Sequence, residues 1–417
     1  MSSRKTGSAV CALGALILFI AIVYANPGNW FDGTDTIPFA KIAAAFALVA
    51  LGCSCLLYNR SLRIGGGIGL MLTALFALVG LSAAWSFWPS LTVDAFLDGL
   101  KYLAIFFLIV NVVDSRDRLA RIVQTVAWVT LIPAIGAIVS HARGQYLVEG
   151  DRASWIGIFG NPNDLAYHMV VGIALTMAAR EAAQTRTMRL VYLAMLIPMG
   201  LTILLTQSRG GMISAGVVVA LWVARSLKHA PAVIGLVVSV GCILYLAPRD
   251  PWKARSETSV AFGEDVSAAG RVDAWRTGLN MLAERPLTGV GSGAFMVAWP
   301  TFAPGDVGPA RTEHNTFIQM ASELGIPGLA LFLAAFIAGA LGLSRATKVP
   351  QLKPYARGIQ CGLAGFAVCS LSGGLAFTWP LYLLLGVSAA TSRLVEPQRQ
   401  MVKPLRSPAP LSAVRAA

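Results

Sequence analysis

Three side chains in this sequence have the chemistry to act on a phosphate-bearing substrate. Arg209 stands in Thr206-Gln207-Ser208-Arg209-Gly210-Gly211, between an apolar stretch and two glycines. Arginine presents a planar fork of N–H donors that matches phosphate oxygens, and glycines allow close approach to the backbone. The alternative for Arg209 is an interfacial side chain reaching lipid headgroups. Arg271 follows Gly270 at the expected start of a helix over about 271–284. Helix N-termini attract anions, and a positive side chain there serves an anion better than it serves the helix dipole. The alternative is a solvated helix-end charge. His314 lies in Arg311-Thr312-Glu313-His314-Asn315-Thr316, just before a short helix expected from Asn315 to Leu324. Unlike His141, His168 and His229, it sits among polar groups next to a membrane-facing helix. A neutral imidazole takes a proton from a hydroxyl at neutral pH, but it serves equally as a helix cap or a structural hydrogen-bonding group.

Other groups are candidates for support. Phe159-Gly160-Asn161-Pro162-Asn163-Asp164 reads first as a turn and N-cap, and second as a set of polar groups for sugar hydroxyls. On the second reading Asn161, Asn163 and Asp164 bind substrate. His168 is one helical turn beyond Asp164, so the two are expected to pair as support. Trp275 and Trp299 offer aromatic faces for sugar rings, or anchor the chain at the membrane interface. Asn315, beside His314, is counted with the substrate-binding groups. The six cysteines, Cys11, Cys53, Cys55, Cys242, Cys361 and Cys369, lie in apolar stretches without metal-ligand spacing. They read as small packing residues, with no disulfide and no zinc expected.

The elements that must position these groups are membrane helices. Of 417 residues 56% are hydrophobic and only 13% charged, with a mean hydropathy of +0.67. A soluble domain carries about 25% charged residues, so this chain has too little charge to cover a water-facing surface. The sequence predicts an all-α polytopic membrane protein with twelve apolar spans: 8–26, 36–58, 66–84, 98–113, 122–140, 165–180, 190–206, 211–224, 231–247, 326–343, 358–377 and 379–392. The N-terminal stretch resembles a signal peptide, but no cleavage site followed by a soluble domain is seen, so it reads as a retained first span. The net charge of +13 does not point to nucleic acid, because the basic residues form short clusters between spans. Most of them, such as Arg116, Arg118 and Arg121 or Arg345, Lys348, Lys353 and Arg357, fall on one side. By the positive-inside rule that side is the cytoplasm, and both termini are expected there.

One loop, 248–325, is far longer than the rest and is expected on the opposite side. It divides the chain into 1–247 with spans one to nine, the loop 248–325, and 326–417 with the last three spans and a cytoplasmic tail. A long loop in a compact protein is usually functional or disordered. This one holds helical pattern and Gly-Pro punctuation. Val272, Trp275, Leu279 and Leu282 make an apolar face suited to the membrane interface. Pro286 stops that helix, and Leu287-Thr288-Gly289-Val290-Gly291-Ser292-Gly293 reads as turns. No P-loop, dinucleotide fingerprint or internal repeat is present.

In order and spacing these parts resemble the O-antigen ligase and polymerase superfamily of bacterial inner membranes. The resemblance rests on Ser208-Arg209-Gly210-Gly211, on Gly270-Arg271 with Trp275, Pro286, Gly289, Gly291 and Gly293, and on His314-Asn315 with Glu323 and Gly325. It covers roughly 155–345, and the topology with one large periplasmic loop extends it to the whole chain. It implies an undecaprenyl-pyrophosphate-linked glycan as donor, with Arg209 and Arg271 on the pyrophosphate and His314 as base on an acceptor hydroxyl. It implies neither metal nor other cofactor. The partners it implies are lipid A-core or another glycan as acceptor, membrane lipids, and other polysaccharide-assembly membrane proteins, with no nucleic acid.

Attack by a hydroxyl opposite the departing diphosphate would invert the anomeric centre. Ligation to lipid A-core leads, polymerisation of O-antigen or exopolysaccharide repeats follows, and a protein-glycosylating relative stands behind both. A transporter is the other class. Carriers place ionisable groups near the bilayer midplane, whereas the candidates here gather at the outer face. Lys41, Lys101 and His168 are the intramembrane exceptions.

Overall fold

Large apolar side chains point outward over much of the surface. Leu56 is 86% exposed and Ile197 70% exposed, and Ile42, Phe46, Leu70 and Leu201 are exposed with them. Contiguous apolar surface of this extent belongs against hydrocarbon, not water. The computed structural model describes residues 2–30, 33–34, 36–59, 61–148, 150–224, 266–305 and 309–395. Among these residues the helices are α1 (Ser2–Ala25), α2 (Phe39–Tyr58), α3 (Gly66–Leu81), α4 (Pro89–Val112), α5 (Arg116–Ala142), α6 (Pro162–Ala182), α7 (Arg186–Leu205), α8 (Arg209–Ala224), α9 (Val266–Glu284), α10 (Phe295–Phe302), α11 (Thr316–Gly342), α12 (Lys353–Cys369) and α13 (Trp379–Arg393). A two-residue antiparallel pair, Leu147–Val148 with Arg152–Ala153, bridges α5 and α6.

The protein is therefore an all-α membrane protein. Six helices, α1, α2, α3, α5, α7 and α11, are long and apolar enough to cross a membrane. The expected spans 98–113, 165–180, 211–224, 358–377 and 379–392 also fall on helices (α4, α6, α8, α12 and α13), but these are shorter or carry more polar side chains. The ninth expected span, 231–247, with Cys242, and residues 248–265 of the long loop lie outside the described residues.

The core is built around α6, which is buried on all sides by α5, α7, α8 and α12. An all-round apolar helix belongs at such a centre. Close packing needs small residues. Gly172 faces Thr130 of α5, and Gly358 faces Ala178, so α6 meets both neighbours where glycine leaves room.

The two ends of the bundle differ. At one end Arg357 pairs with Glu181 at 3.2 Å, Arg116 donates to the Gln351 carbonyl, and Arg393 donates to the carbonyls of Val110 and Val113. These are the basic clusters read as cytoplasmic. At the other end α3 and α4 meet the loop after α9. There Trp85 Nε1 donates to Thr288 O at 2.9 Å, the Phe87 N–H to Val290 O at 3.0 Å, and Thr92 Oγ1 to Ser292 O at 2.9 Å. The described part of the long loop also has a small core of its own, formed by Ala274, Met281, Val290, Phe295, Ala298, Trp299 and Phe302.

Two expectations about elements need correction. The span expected over 358–377 ends at Cys369, and Ser370 to Thr378 is largely irregular backbone. Its apolar residues, such as Leu375 and Ala376, suit a buried turn as well as a helix, and Ser370, Ser372, Gly373 and Gly374 break the helical run. Such backbone survives at membrane depth only when protein satisfies it. Here the Thr316 N–H donates to Ser370 O at 2.8 Å, Thr316 Oγ1 donates to Gly373 O at 2.7 Å, and the Leu375 N–H donates to Thr316 Oγ1 at 2.8 Å. The second correction is the helix expected over 271–284. It already runs from Val266, so Arg271 is inside the helix and not at its N-terminus.

The short helix expected from Asn315 to Leu324 is present as the first half of α11. Asn315 caps it, its side-chain oxygen accepting from the N–H groups of Phe317 at 2.9 Å and Ile318 at 3.1 Å. Gly325 then breaks the helix with φ 67° and ψ −168°. That region of backbone space is essentially restricted to glycine. A Cβ there would also sit 2.6 Å from the Pro286 carbonyl oxygen. Gly325→Ala is expected to destabilise the protein by at least about 1–3 kcal/mol. A fall in thermal midpoint of the detergent-solubilised protein checks this; an unchanged midpoint would show that the kink relaxes freely.

Candidate active site

The turn at 370–374 draws the candidate residues together. Gln207 adopts a left-handed conformation, φ 51°, at the end of α7, and Ser208 Oγ accepts from the Gly211 N–H at 3.3 Å to start α8. Arg209 is thereby the first residue of α8. Its neighbour Gly210 leaves space that Ser372 Oγ fills, with the Tyr167 hydroxyl 3.4 Å from where a side chain would begin. Tyr167 and Ser372 share a hydrogen bond of 3.0 Å. On the other side of the same turn, Asn315 Nδ2 donates to Leu371 O at 3.4 Å. The residues next to Arg209 and next to His314 are thus tied to one five-residue segment.

Arg271 joins this group from α9. Its charge acts on both the Tyr167 hydroxyl and the His314 ring. The glycine before it serves packing, because the Arg311 guanidinium occupies the place a Gly270 side chain would take. Arg311 also acts on His314. In the sequence Arg311 stands out only as a near neighbour of His314. The structure adds it as a further guanidinium beside Arg271. The available signal was the three-residue spacing from His314, which carries little by itself.

His314 is held from both sides. Trp275 Nε1 donates to the carbonyl oxygen of Glu313 at 3.1 Å, and Asn315 caps α11. Between them His314 adopts φ 46°. A left-handed histidine is uncommon, and such residues persist where neighbours over-determine them. Thr312 Oγ1 lies 3.1 Å from His314 Nε2. Burial holds the His314 pKa below the ordinary imidazole value, and the positive charges of Arg271 and Arg311 lower it further. A ring in that state is neutral at neutral pH and free to accept a proton.

The supporting candidates divide. Asn161 is the N-cap of α6, accepting from the Asn163 N–H at 2.8 Å, as the turn reading expected. The Asn163 side-chain oxygen accepts from Arg152 Nη2 at 2.9 Å, and Arg152 Nε donates to Thr206 O at 2.9 Å. Arg152 is buried and ties the hairpin to the start of α6 and the end of α7; the sequence offered no sign of this. Asp164 and His168 do pair, but through the Asp164 backbone carbonyl and not its carboxylate. His168 Nδ1 is 2.7 Å from that oxygen, and Nε2 accepts from Trp379 Nε1 at 3.1 Å. With both nitrogens engaged, inside Tyr24, Phe159 and Trp379, His168 is structural support. Trp275 positions Glu313, and Trp299 belongs to the loop core. Of the apolar face expected on α9, Val272 and Leu279 are exposed, while the buried side runs through Ala274, Thr277, Gly278 and Met281.

Tyr167 also forms part of a second wall. It lines a mainly apolar cavity of about 770 Å³ between α1, α2, α4, α6 and the start of α13, with Asp164, His168, Lys41 and Lys101 on the same lining.

Residues 193–333 match the family model described as O-antigen ligase, and that stretch contains Arg209, Arg271, Arg311 and His314. These residues belong to the O-antigen ligase and polymerase superfamily. The chain is also 23% identical over 286 residues to the exopolysaccharide production protein ExoQ of Rhizobium meliloti (strain 1021), a match covering 62% of this chain and 61% of that protein. The chain thus spans about three fifths of the length of this superfamily relative. The superfamily match falls on the segments that converge at the 370–374 turn, although the turn itself lies beyond it.

Proposed function

We propose that this protein transfers a glycan from undecaprenyl pyrophosphate to an acceptor hydroxyl at the periplasmic face of a bacterial inner membrane. One observation carries the reading: Arg271 and Arg311 bear on His314 at the same end of the bundle where Gly210, the neighbour of Arg209, packs on the 370–374 turn. In the transfer step the acceptor hydroxyl gives its proton to the neutral His314 ring. Its oxygen forms the new bond at the anomeric carbon. The old bond to the pyrophosphate oxygen breaks, and its electron pair leaves with the carrier. Charge builds on that diphosphate, where fixed guanidinium donors stabilise it most effectively if water is excluded. Displacement from the opposite face inverts the anomeric centre, and the step calls on no metal.

The apolar cavity lined by Tyr167 supports a lipid-linked donor, because its lining suits a hydrocarbon chain more than a hydrated solute. It is also of a size that a carrier reading would want. A carrier would need polar groups to replace a solute's hydration, yet His168 has both nitrogens committed and Lys101 pairs with Asp98 at 3.5 Å. Flux into vesicles would favour the carrier.

Ligation to lipid A-core is the leading acceptor assignment. Polymerisation of repeat units is the second, favoured by the similarity to a protein named for exopolysaccharide production. Deletion of the gene separates them. The expected ligase result is surface lipid A-core without polymer while carrier-linked chains accumulate. Single-repeat glycan on the surface would instead establish a polymerase. Normal surface glycan in the deletion would overturn both.

A further inference from the structure

Glu313 and Glu323 are both buried, at 6% and 3% exposure, and their carboxyl groups lie close enough to exchange a hydrogen bond. Two carboxylates have acceptors only, so such a bond requires that one of them keep a proton. Among the described residues Glu323 Oε2 is buried and has no hydrogen-bond partner, as an oxygen awaiting a shared proton would. The rest of the Glu323 carboxyl lies against the Gly293 N–H and the Ser292 hydroxyl, in the glycine-rich turn after α9. The backbone is joined there too, since Gly291 N donates to Glu323 O at 2.9 Å and Val290 N to Ser322 O at 2.9 Å. Glu313 immediately precedes the left-handed His314. Its carbonyl is fixed by Trp275, and its side chain by Glu323.

We propose that Glu313 and Glu323 share one proton, and that this acid–carboxylate pair is the clamp that holds His314 in its left-handed pose. Both are positioning residues, and the proposal rests on His314 being the base. The pair also couples the glycine-rich turn to the catalytic loop, because Glu323 touches one and Glu313 belongs to the other. The groups around the pair are Ser292 and the Gly293 N–H from the turn, Trp275 from α9 through the Glu313 carbonyl, and the backbone of Gly374, which lies close to both Gln319 and Glu313; Arg271 and Arg311 bear on the adjacent His314. Burial raises the Glu313 pKa, which favours retention of the shared proton at neutral pH. As pH rises the proton is lost, two negative charges face each other, and the clamp opens.

The test separates the clamp from the base. The infrared carbonyl stretch of a protonated carboxyl, measured on the whole detergent-solubilised protein, reads the shared proton without any catalysis. Wild type should show a band at neutral pH that fades in alkali, and E323Q should lack it. In transfer assays E323L should lose about a hundredfold, the scale expected for a misplaced catalytic group. E323Q, whose amide N–H replaces the acid proton, should restore transfer and remove the alkaline decline seen in wild type. A spectrum unchanged in E323Q would overturn the shared proton. E323L with wild-type rate and pH profile would overturn the clamp. Failure of the base reading looks different: the infrared result stands while removal of the His314 ring leaves transfer intact.

Discussion

Arg271→Ala is expected to cut transfer by about a hundredfold to a thousandfold while the protein still inserts and keeps its thermal midpoint. That is the usual cost of removing one fixed donor from developing negative charge. The structure adds a second signature. The Arg271 charge helps hold the His314 pKa below its ordinary value, after burial. Without it the ring binds a proton more readily, so the acid limb of the residual activity should move to higher pH. Arg271→Lys keeps the charge but loses the two-pronged grip of a guanidinium. It should therefore leave the acid limb near its original place while still lowering the rate. A lysine variant with full activity would mean that only charge is needed. An alanine variant with wild-type rate would remove Arg271 from the site.

The second large effect concerns His314. His314→Asn should lower transfer by about a hundredfold to ten-thousandfold, the range attributed to a positioned proton acceptor. Asparagine is the informative replacement because it tolerates the left-handed backbone that His314 occupies at φ 46°. Alanine would remove the ring and strain the loop together. In wild type the base form persists down to the lowered His314 pKa, so transfer should decline only at pH values below the usual imidazole range and should hold at neutrality. Rates measured across pH with purified protein and lipid-linked donor check this. Full activity in His314→Asn would rule out the ring as base.

Much of this arrangement could be read from residue types. The glycine-rich turn after Pro286 and the short helix before Gly325 follow from local backbone rules, and the structure places both where those rules put them. The misreadings have a common physical origin. Gly270 looked like a helix boundary because glycine disfavours helix interiors, yet here it sits inside α9 and makes room for Arg311. Ser370 to Thr378 looked like the end of a span because its apolar residues continue the hydrophobic run. Arg152 and the Glu313–Glu323 pair gave no sign at all, since no helix or strand period brings their partners onto one face. Periodicity and local propensity report neighbours along the chain. Arg311 against Gly270, or Arg152 against Thr206, is a contact that only the assembled bundle supplies.

The 370–374 turn has a consequence for how the protein comes into being. It hydrogen-bonds to the loop of His314 and packs against Gly210 beside Arg209, yet it emerges from the ribosome only after the whole family-matched stretch, 193–333, has been made. During synthesis the nascent chain therefore carries Arg209, Arg271, Arg311 and His314 before it owns the turn that packs on Gly210 and bonds to Asn315 and Thr316. If the proposed transfer is the activity, a messenger cut short after α11 is expected to yield a membrane-inserted but inert polypeptide.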